Sequence, residues 1–215
     1  MAKKYIIWIL VGFILFFLAA NVHAFDGQRQ GFILGFGLGP GFTSYTEEFT
    51  LEFMGLKSSV ERDRQNKLGV MSDFKIGYAP NNSLEIYYTN KVSWFGHKYS
   101  QRVEVWDSVY AEYIEKWTIA TGLTAAGVTY YFYPTAPSWF LSGGLGVSAW
   151  LVPFEENGPD PRIGLGLFVG GGYEFTRHVN VEVNLCWGKP KDTEGGVEIS
   201  SNALTVSFTV NALAY

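Results

Sequence analysis

Few residues of this sequence combine in a way that could do chemistry. His97 lies close in sequence to Ser93, Ser100 and Asp107, which supplies the residue types of a nucleophile, a base and an orienting acid without a recognised spacing. The other histidine that follows the N-terminal segment, His178, stands in a short polar junction that is typical of a solvent-exposed turn. We therefore expect no catalytic residues and a protein that is not an enzyme.

Metal and cofactor sites are equally unsupported. No histidines occur at the His-x-x-x-His or His-Glu-x-x-His spacing of zinc sites, and the single cysteine, Cys186, excludes a cysteine-based zinc cluster and an intramolecular disulfide. The formal net charge is −4 and the chain has no dense block of Lys or Arg, so nucleic acid is a poor partner. We expect no metal, no cofactor and no nucleic acid.

Six charged residues stand out because they occupy alternate positions of otherwise apolar segments. Alternate residues of a strand face opposite sides, so these charges share a face with glycine, serine and threonine: Asp73, Lys75, Glu85, Lys91, Glu174 and Glu182. If that face lines an enclosed interior, the charges must be paired or hydrated, since an isolated buried ion is costly. Two interpretations stay open: a network of salt bridges and water that fixes the fold, or a narrow polar path or ligand cavity.

The segments that position these charges are strands. The chain has 215 residues, of which 47% are hydrophobic, 17% aromatic and 17% charged, a composition that rules out disorder. Apolar residues alternate with small or polar residues in eight segments, which is the signature of strands with two different faces. The predicted strands cover residues 32–39, 68–78, 84–94, 127–132, 139–149, 164–175, 179–187 and 204–211.

The connections alternate in length. Residues 80–83, 134–138 and 177–178 form short turns, whereas 46–67 and 95–116 are long, charged loops. Short turns at one end, long loops at the other and an even number of strands are typical of a transmembrane β-barrel with its short turns in the periplasm. Within the second long loop, the alternation at Val103, Val105, Val109 and Tyr113 predicts a hairpin that continues beyond the membrane.

Aromatic residues near the strand ends indicate the girdles that form where a barrel meets lipid headgroups. We expect these side chains at the membrane interfaces: Trp94, Trp117, Trp139, Trp150, Trp187, Tyr130 and Tyr173. The alternative is a soluble up-and-down barrel, which would turn its apolar face inward and cover its outside with charge. The second face of these strands is mostly Gly, Ser and Thr, which is too poor in charge for a solvated exterior.

Residues 1–24 have the features of a cleaved signal peptide. Lys3 and Lys4 precede an apolar run, and Val22 and Ala24 are the small residues that a signal peptidase requires before its cleavage site. The alternative, an uncleaved anchor, is less favoured because the run is short for a spanning helix. The expected organisation is a signal peptide, 1–24, and one domain, 25–215: an all-β, eight-stranded antiparallel up-and-down transmembrane β-barrel.

With these features the chain resembles the small outer-membrane barrels of Gram-negative bacteria, the group of the OmpA membrane domain, OmpX and OmpW. The segment 127–132 and the terminal aromatic Tyr215 carry the resemblance, which spans residues 31–215. It implies an outer-membrane location with both chain ends in the periplasm, and recognition of Tyr215 by the barrel-insertion machinery. Residues 204–210 are apolar at even positions whereas Leu213 and Tyr215 are odd, so we expect a phase slip near the end of the last strand.

Members of this group differ in function, so the resemblance does not decide the activity. We expect a monomeric, non-enzymatic barrel with a structural or surface-interaction role, in contact with outer-membrane lipid and lipopolysaccharide. Its long loops are the candidate surface for an extracellular partner. The alternative is a narrow channel or pathway for small solutes or hydrophobic molecules. An enzyme that modifies lipid A is a third and weaker hypothesis.

Overall fold

The computed structural model describes residues 28–53, 56–105, 108–155, 159–194 and 197–215, so the predicted leader lies outside them. Each of the eight predicted strands coincides with an observed strand, and the observed strands are longer because pairing continues where the apolar alternation stops. The strands are β1 (Gly31–Phe53), β2 (Leu56–Glu61), β3 (Gln65–Asn81), β4 (Leu84–Val105), β5 (Ser108–Tyr131), β6 (Ser138–Leu151), β7 (Arg162–Thr176), β8 (Val179–Glu194) and β9 (Val197–Ala214).

The strands form a single closed antiparallel sheet. From β3 to β9 each strand pairs with the next one in sequence, and β1 pairs with β3. β1 also pairs with β9, from Leu34↔Ala214 to Leu51↔Val197, and this pairing closes the sheet into a barrel. The predicted up-and-down barrel is confirmed, with eight strands around it and β2 as an addition.

β2 is the outer part of the strand that continues as β3. β1 pairs with β2 as far as Glu48↔Glu61 and with β3 from Tyr45↔Gln65 onward, so β2 and β3 lie along the same edge of β1. Because most of 46–67 is paired strand, the prediction of a long loop here is wrong. The charged residues that suggested a loop lie in a hairpin that extends the sheet.

The second long connection is a hairpin as well. β4 pairs with β3 only up to Trp94, but its pairing with β5 continues to Val105↔Ser108. The predicted continuation of this hairpin is therefore confirmed. We call this side of the barrel the long-hairpin end.

At the opposite side, the short-turn end, the strands are joined by residues 82–83, 132–137 and 177–178. These are the three predicted turns, so the predicted asymmetry between the two ends is also confirmed.

Alternate side chains face out of the barrel and into it. The side chains predicted as the apolar face are exposed, for example Phe36, Leu38, Leu141, Leu165 and Val206, whereas the opposite face is buried. An exterior of this kind is unsuited to water and matches the hydrocarbon of a bilayer. The barrel therefore spans a membrane, and the soluble alternative is wrong.

The part of the chain that the structure describes contains no helix long and apolar enough to cross a membrane.

The last strand keeps its phase to its end, so the predicted phase slip is wrong. Odd residues of β9 are buried and even residues are exposed over its regular part. The odd-numbered Leu213 and Tyr215 continue this inward-facing series, and both are buried in the interior. Apolar residues occupy the inward face here because Leu213 and Tyr215 pack with Ile33 and Ala79 in a small apolar cluster at the short-turn end.

Five of the predicted interface aromatics lie on the outward-facing phase of their strands: Trp94, Trp139, Trp187, Tyr130 and Tyr173. Trp139 is 61% exposed, and its ring centroid lies 4.8 Å from that of Tyr173 on the neighbouring strand.

Trp150 and Trp117 face the interior, which corrects the prediction for both. Trp150 is 2% exposed and shares the inward phase of Ser148. Trp117 is half-buried, in the phase of the buried Ile119, and pairs across the strands with His97. The prediction considered only how close each ring lies to a strand end. Such a ring contacts lipid only if its residue also occupies an outward-facing position of the strand.

Single-tryptophan variants test these orientations. In variants that keep only Trp139 or only Trp150, with the other tryptophans replaced by phenylalanine, lipids with brominated acyl chains should quench the fluorescence of Trp139 strongly. The same lipids should leave Trp150 nearly unquenched, because its ring lies inside the barrel. Comparable quenching of the two residues would contradict the assigned faces.

Candidate functional site

The barrel interior is the candidate site, since the structure places all six predicted lumen charges there. Each of the six is at most 2% exposed. Asp73, Lys75, Lys91 and Glu182 form one group, which we call the ionic layer. Glu174 and Glu85 lie nearer the short-turn end, apart from this group.

The ionic layer links three strands across the interior. Lys75 Nζ lies 3.3 Å from Glu182 Oε2, and Lys91 Nζ lies 3.8 Å from Glu182 Oε1. Lys91 also donates to the carboxylate of Asp73 on the adjacent strand. The layer therefore joins β3, β4 and β8, and it balances two cations with two anions.

Neighbouring hydroxyl groups complete the layer. Ser142 donates to Glu182 Oε1 at 2.7 Å, and Thr89 donates to Asp73 Oδ1 at 2.9 Å. The ammonium group of Lys75 also lies 4.8 Å from the centroid of the Tyr87 ring. Charged groups buried this deeply need partners for their remaining hydrogen-bonding capacity, and these contacts supply part of it.

At the short-turn end, Glu174 belongs to a second group, in which its partner is Arg29, a residue that was not predicted from the sequence. Arg29, which precedes β1, is 3% exposed, and its Nε donates to both oxygens of Glu174 at 3.1 and 3.0 Å. Its Nη1 donates to the carbonyl oxygens of Asn82 and Tyr133, which lie in two of the short turns. Arg29 thereby ties the segment before β1 to the base of the barrel.

Two tyrosines complete this group, and Glu85 lies beside them. The hydroxyl of Tyr215 donates to Glu174 Oε1 at 3.2 Å and lies 3.4 Å from the hydroxyl of Tyr131. Glu85 is fully buried, and neither of its oxygens has a hydrogen-bond partner in the described part of the chain. Arg29, Glu85, Tyr131, Glu174 and Tyr215 are called the basal cluster below.

At the long-hairpin end the interior is filled by aromatic rings. Tyr45, Phe95 and Trp150 form the aromatic layer, in which the Tyr45 and Trp150 ring centroids lie 4.7 Å apart and those of Phe95 and Trp150 5.9 Å apart. Ile119 and Ala203 pack against these rings.

A third buried ion pair lies beyond the aromatic layer. Arg162 Nη1 donates to Glu47 Oε1 at 2.7 Å and to the hydroxyl of Ser201 at 2.9 Å. This pair was not predicted from the sequence, because Glu47 lies in a segment that was interpreted as a loop. The parity of β1 would have found it, since Glu47 continues the inward phase of Thr43 and Tyr45.

The space left inside is small between the layers and larger above them. A cavity of about 20 Å³, lined in part by Met71, Lys91 and Cys186, lies between the ionic and aromatic layers. Its volume is close to that of one water molecule. On the far side of the aromatic layer, a vestibule of about 350 Å³ opens between His97, Arg62 and Asp63.

The residues considered for catalysis have other contacts. His97 Nδ1 lies 2.9 Å from the hydroxyl of Tyr45, and the hydroxyl of Ser93 lies 2.9 Å from that of Thr43. Asp107 lies outside the described residues. His178 occupies the predicted two-residue turn, and its Nδ1 donates to the carbonyl of Leu213 at 3.0 Å.

Within the described residues, no group of three or more His, Cys, Asp or Glu side chains is placed to hold a metal ion. Cys186 is a free, buried thiol that packs in the interior against residues including Met71 and Phe168.

The chain is similar in structure to several outer-membrane proteins. OprG from Pseudomonas aeruginosa is 15% identical, with a TM-score of 0.48, over 87% of this chain and 98% of that one. The outer-membrane protein AlkL, solved in lipid bilayers, is 13% identical, with a TM-score of 0.41, over 87% and 92%. The outer-membrane protease OmpT from Escherichia coli is 9% identical, with a TM-score of 0.40, over 91% and 100%. No protein-family model matches the sequence, and no curated protein matches it.

Replacing Glu182 should destabilise the barrel strongly. In Glu182→Gln the ammonium group of Lys75 loses its carboxylate partner while it stays buried, and breaking a buried pair in this way costs about 3–5 kcal/mol. The free energy of unfolding in urea, measured for protein refolded in lipid, gives the cost.

The matched control is Lys191→Gln, which removes an exposed pair with Glu198 whose atoms lie 3.2 Å apart. We expect it to cost at most about 1 kcal/mol. Equal costs for the two variants would contradict a structural role for the ionic layer.

His97 pairs with Trp117 on the neighbouring strand, and the next residue of that strand, Lys116, is charged, exposed and directed outward. An outward-facing lysine marks the edge of the apolar band, so His97 lies beyond that band. Partial burial, followed by the positive charge of Lys67, lowers the pKa of His97 from its ordinary value of 6.5. The folded protein therefore takes up this proton less readily than the unfolded chain. The contribution of neutral His97 to the free energy of unfolding is therefore fully present above pH 6.5, and it is lost as the pH falls below that value.

An NMR titration of the His97 imidazole should show its inflection below pH 6.5. The variant Lys67→Gln should move that inflection upward, because it removes a repelling charge. An inflection at or above pH 6.5 in the unchanged protein would contradict the assigned surroundings of His97.

Proposed function

We propose that this chain is a non-enzymatic outer-membrane β-barrel protein with a closed lumen and a structural or surface-interaction role. The observation that carries the proposal is the filling of the interior at three levels: the basal cluster, the ionic layer and the aromatic layer. An eight-stranded barrel is just wide enough for its own side chains. With three filled levels, little room is left for a solute.

Several features support the outer membrane as its location. A closed barrel satisfies all backbone hydrogen bonds between its strands, which is what a hydrocarbon environment demands. The predicted signal peptide would export the chain. The asymmetry of the ends supports an orientation in which the short turns and both chain ends face the periplasm and the hairpins face outward. In this orientation lipopolysaccharide surrounds the long-hairpin end, and the barrel-insertion machinery is the partner during assembly.

The hairpins support a role at the cell surface. The β1–β2 hairpin and the extended β4–β5 hairpin both carry the sheet beyond the last pairing between β3 and β4, at Val70↔Trp94. Paired hairpins hold their outer surfaces in a fixed geometry, which favours contact with a partner. Exposed charges such as Glu61, Arg62 and Asp63 stand where β2 meets β3.

A shortened hairpin tests this proposal. Replacing residues 98–115 by a two-residue turn should leave a folded barrel that still migrates on a gel in a heat-dependent manner, since the pairing from Trp94↔Ala120 downward is untouched. Cells that carry this variant should bind less to host cells or to solid surfaces than cells with the unchanged protein, and should take up small solutes at the same rate.

Reduced uptake with unchanged surface binding would contradict the proposal and favour transport. Unchanged binding and uptake would restrict the role to the structural one.

One observation favours the second candidate, a narrow polar pathway. On the inner face of β8 and β9, the side chains of Asn184, Ser207 and Thr209 have buried polar atoms without a partner in the described residues. The inward positions of the neighbouring β1 include Gly37 and Gly39, which Asn211 and the backbone of Phe208 approach closely. A file of water along this wall would bypass the ionic layer, and the solute-uptake measurement above applies to it.

A further inference from the structure

A groove marks the lipid-facing wall of the barrel near the short-turn end, on β6, β7 and β8. Its volume is about 650 Å³, which falls within the range of roughly 300–1,000 Å³ that is usual for ligand pockets. The groove lies on the outside of the barrel, apart from the three filled levels of the interior. Most of its lining is apolar, and its walls include Phe132, Trp139, Leu141, Tyr173, Phe175 and Val183.

Gly171 explains why the wall recedes here. It occupies an outward-facing position of β7, between Val169 and Tyr173. It pairs with Leu141 on β6 and with Val183 on β8, and both of these side chains are exposed. Because glycine has no side chain, its neighbours on three strands project past it and form the walls of the groove.

Aromatic rings bound the groove on the side of the short turns. Trp139 pairs with Tyr173, and their ring centroids lie 4.8 Å apart, while those of Tyr173 and Phe175 lie 5.0 Å apart. Outward-facing rings of this kind lie where a barrel meets lipid headgroups. The groove therefore begins at the headgroup level and continues past Gly171 into the hydrocarbon.

A cation stands just beyond these rings. Arg177 is exposed, in the turn that joins β7 to β8, two residues after Phe175. A guanidinium group at this level is placed where the phosphate groups of lipids lie, and it binds phosphate well because its donors match the phosphate oxygens.

We propose that the groove is a binding site for one phospholipid, with an acyl chain over Gly171 and the phosphate group at Arg177. Water does not fill a groove in hydrocarbon, and an empty groove would lose dispersion contacts along its walls. A flexible acyl chain can follow these walls, whereas the rigid face of a second barrel would need a matching ridge. The lipid belongs to the periplasmic leaflet if the barrel has the orientation proposed above, but the binding itself does not depend on that orientation.

A lipid titration tests the proposal. The protein that keeps only Trp139 would be refolded in micelles of an uncharged detergent and titrated with phosphatidylglycerol that carries brominated acyl chains. Because Trp139 lines the groove, its fluorescence should fall along a saturable curve with one lipid bound per barrel. In the matched protein that keeps only Trp94, which lies toward the long-hairpin end, the fluorescence should fall in proportion to the added lipid. A proportional fall at both positions would overturn the proposal.

Filling the groove should abolish the saturable curve. In Gly171→Leu, the first carbon of the new side chain would lie 3.1 Å from the carbonyl oxygen of Phe140, at the floor of the groove. The matched control is Gly143→Leu, at an outward-facing glycine of β6 where the same carbon would lie 3.4 Å from the carbonyl oxygen of Phe168. Heat-dependent migration on a gel verifies that both variants fold. Survival of the saturable curve in folded Gly171→Leu would overturn the proposal.

Arg177→Gln tests the headgroup contact without changing the groove, and it replaces only an exposed residue of a turn. Its curve should stay saturable and move to about fivefold higher lipid concentration, which is the effect of one basic residue near an anionic lipid surface. An unchanged midpoint would overturn the assignment of the phosphate to Arg177.

A second copy of the chain in the groove would give a different result. The protein would then migrate as a dimer and the brominated lipid would not quench Trp139, which would also overturn the proposal. These measurements in micelles report neither on the lumen nor on the orientation, so a negative result here would leave the proposed function standing.

Discussion

The contact of the Glu182 carboxylate with Lys75 and Lys91 is the interaction on which the rest of the interior depends. Lipid on the outside forces the apolar side chains of every strand outward, so the polar side chains of the same strands must satisfy one another within a narrow lumen. Glu182 meets two cations from the far wall at 3.3 and 3.8 Å, and Asp73 balances the second of them. Removing any one of these four groups would leave the ionic layer with one buried charge that no opposite charge balances.

The layers on either side of this centre follow from the same constraint. Near the ends of the barrel, inward-facing residues can be aromatic. A ring such as that of Trp150 or Tyr131 fills the cross-section of the lumen without adding a charge. Charges recur as pairs at Arg29–Glu174 and Arg162–Glu47, whereas Glu85, in the basal cluster, has no hydrogen-bond partner among the described residues. The closed lumen that we propose would thus result from the packing that stabilises the barrel, and it would leave the hairpins as the surface for a partner.

The period of two made most of the fold predictable, because lipid and lumen select opposite residue types at alternate positions of each strand. The strand number, the short turns and the inward placement of Asp73 and Lys75 follow from that rule. It was not applied to Trp150, which was assigned by its nearness to a strand end, or to Glu47, which was assigned to a loop, although both lie at inward-facing positions of their strands. Arg29 and Glu174 are 145 positions apart in sequence, and they meet only because the barrel closes. A local sequence pattern therefore cannot predict their pairing.

Ion conductance across a planar bilayer tests the closed lumen most directly. The protein without its predicted leader would be refolded, its folding verified by heat-dependent migration on a gel, and then added to the bilayer under an applied voltage. A lumen filled by the basal cluster, the ionic layer and the aromatic layer predicts no discrete conductance steps from folded protein. Reproducible steps of uniform size would contradict the account and show a continuous path past Glu182.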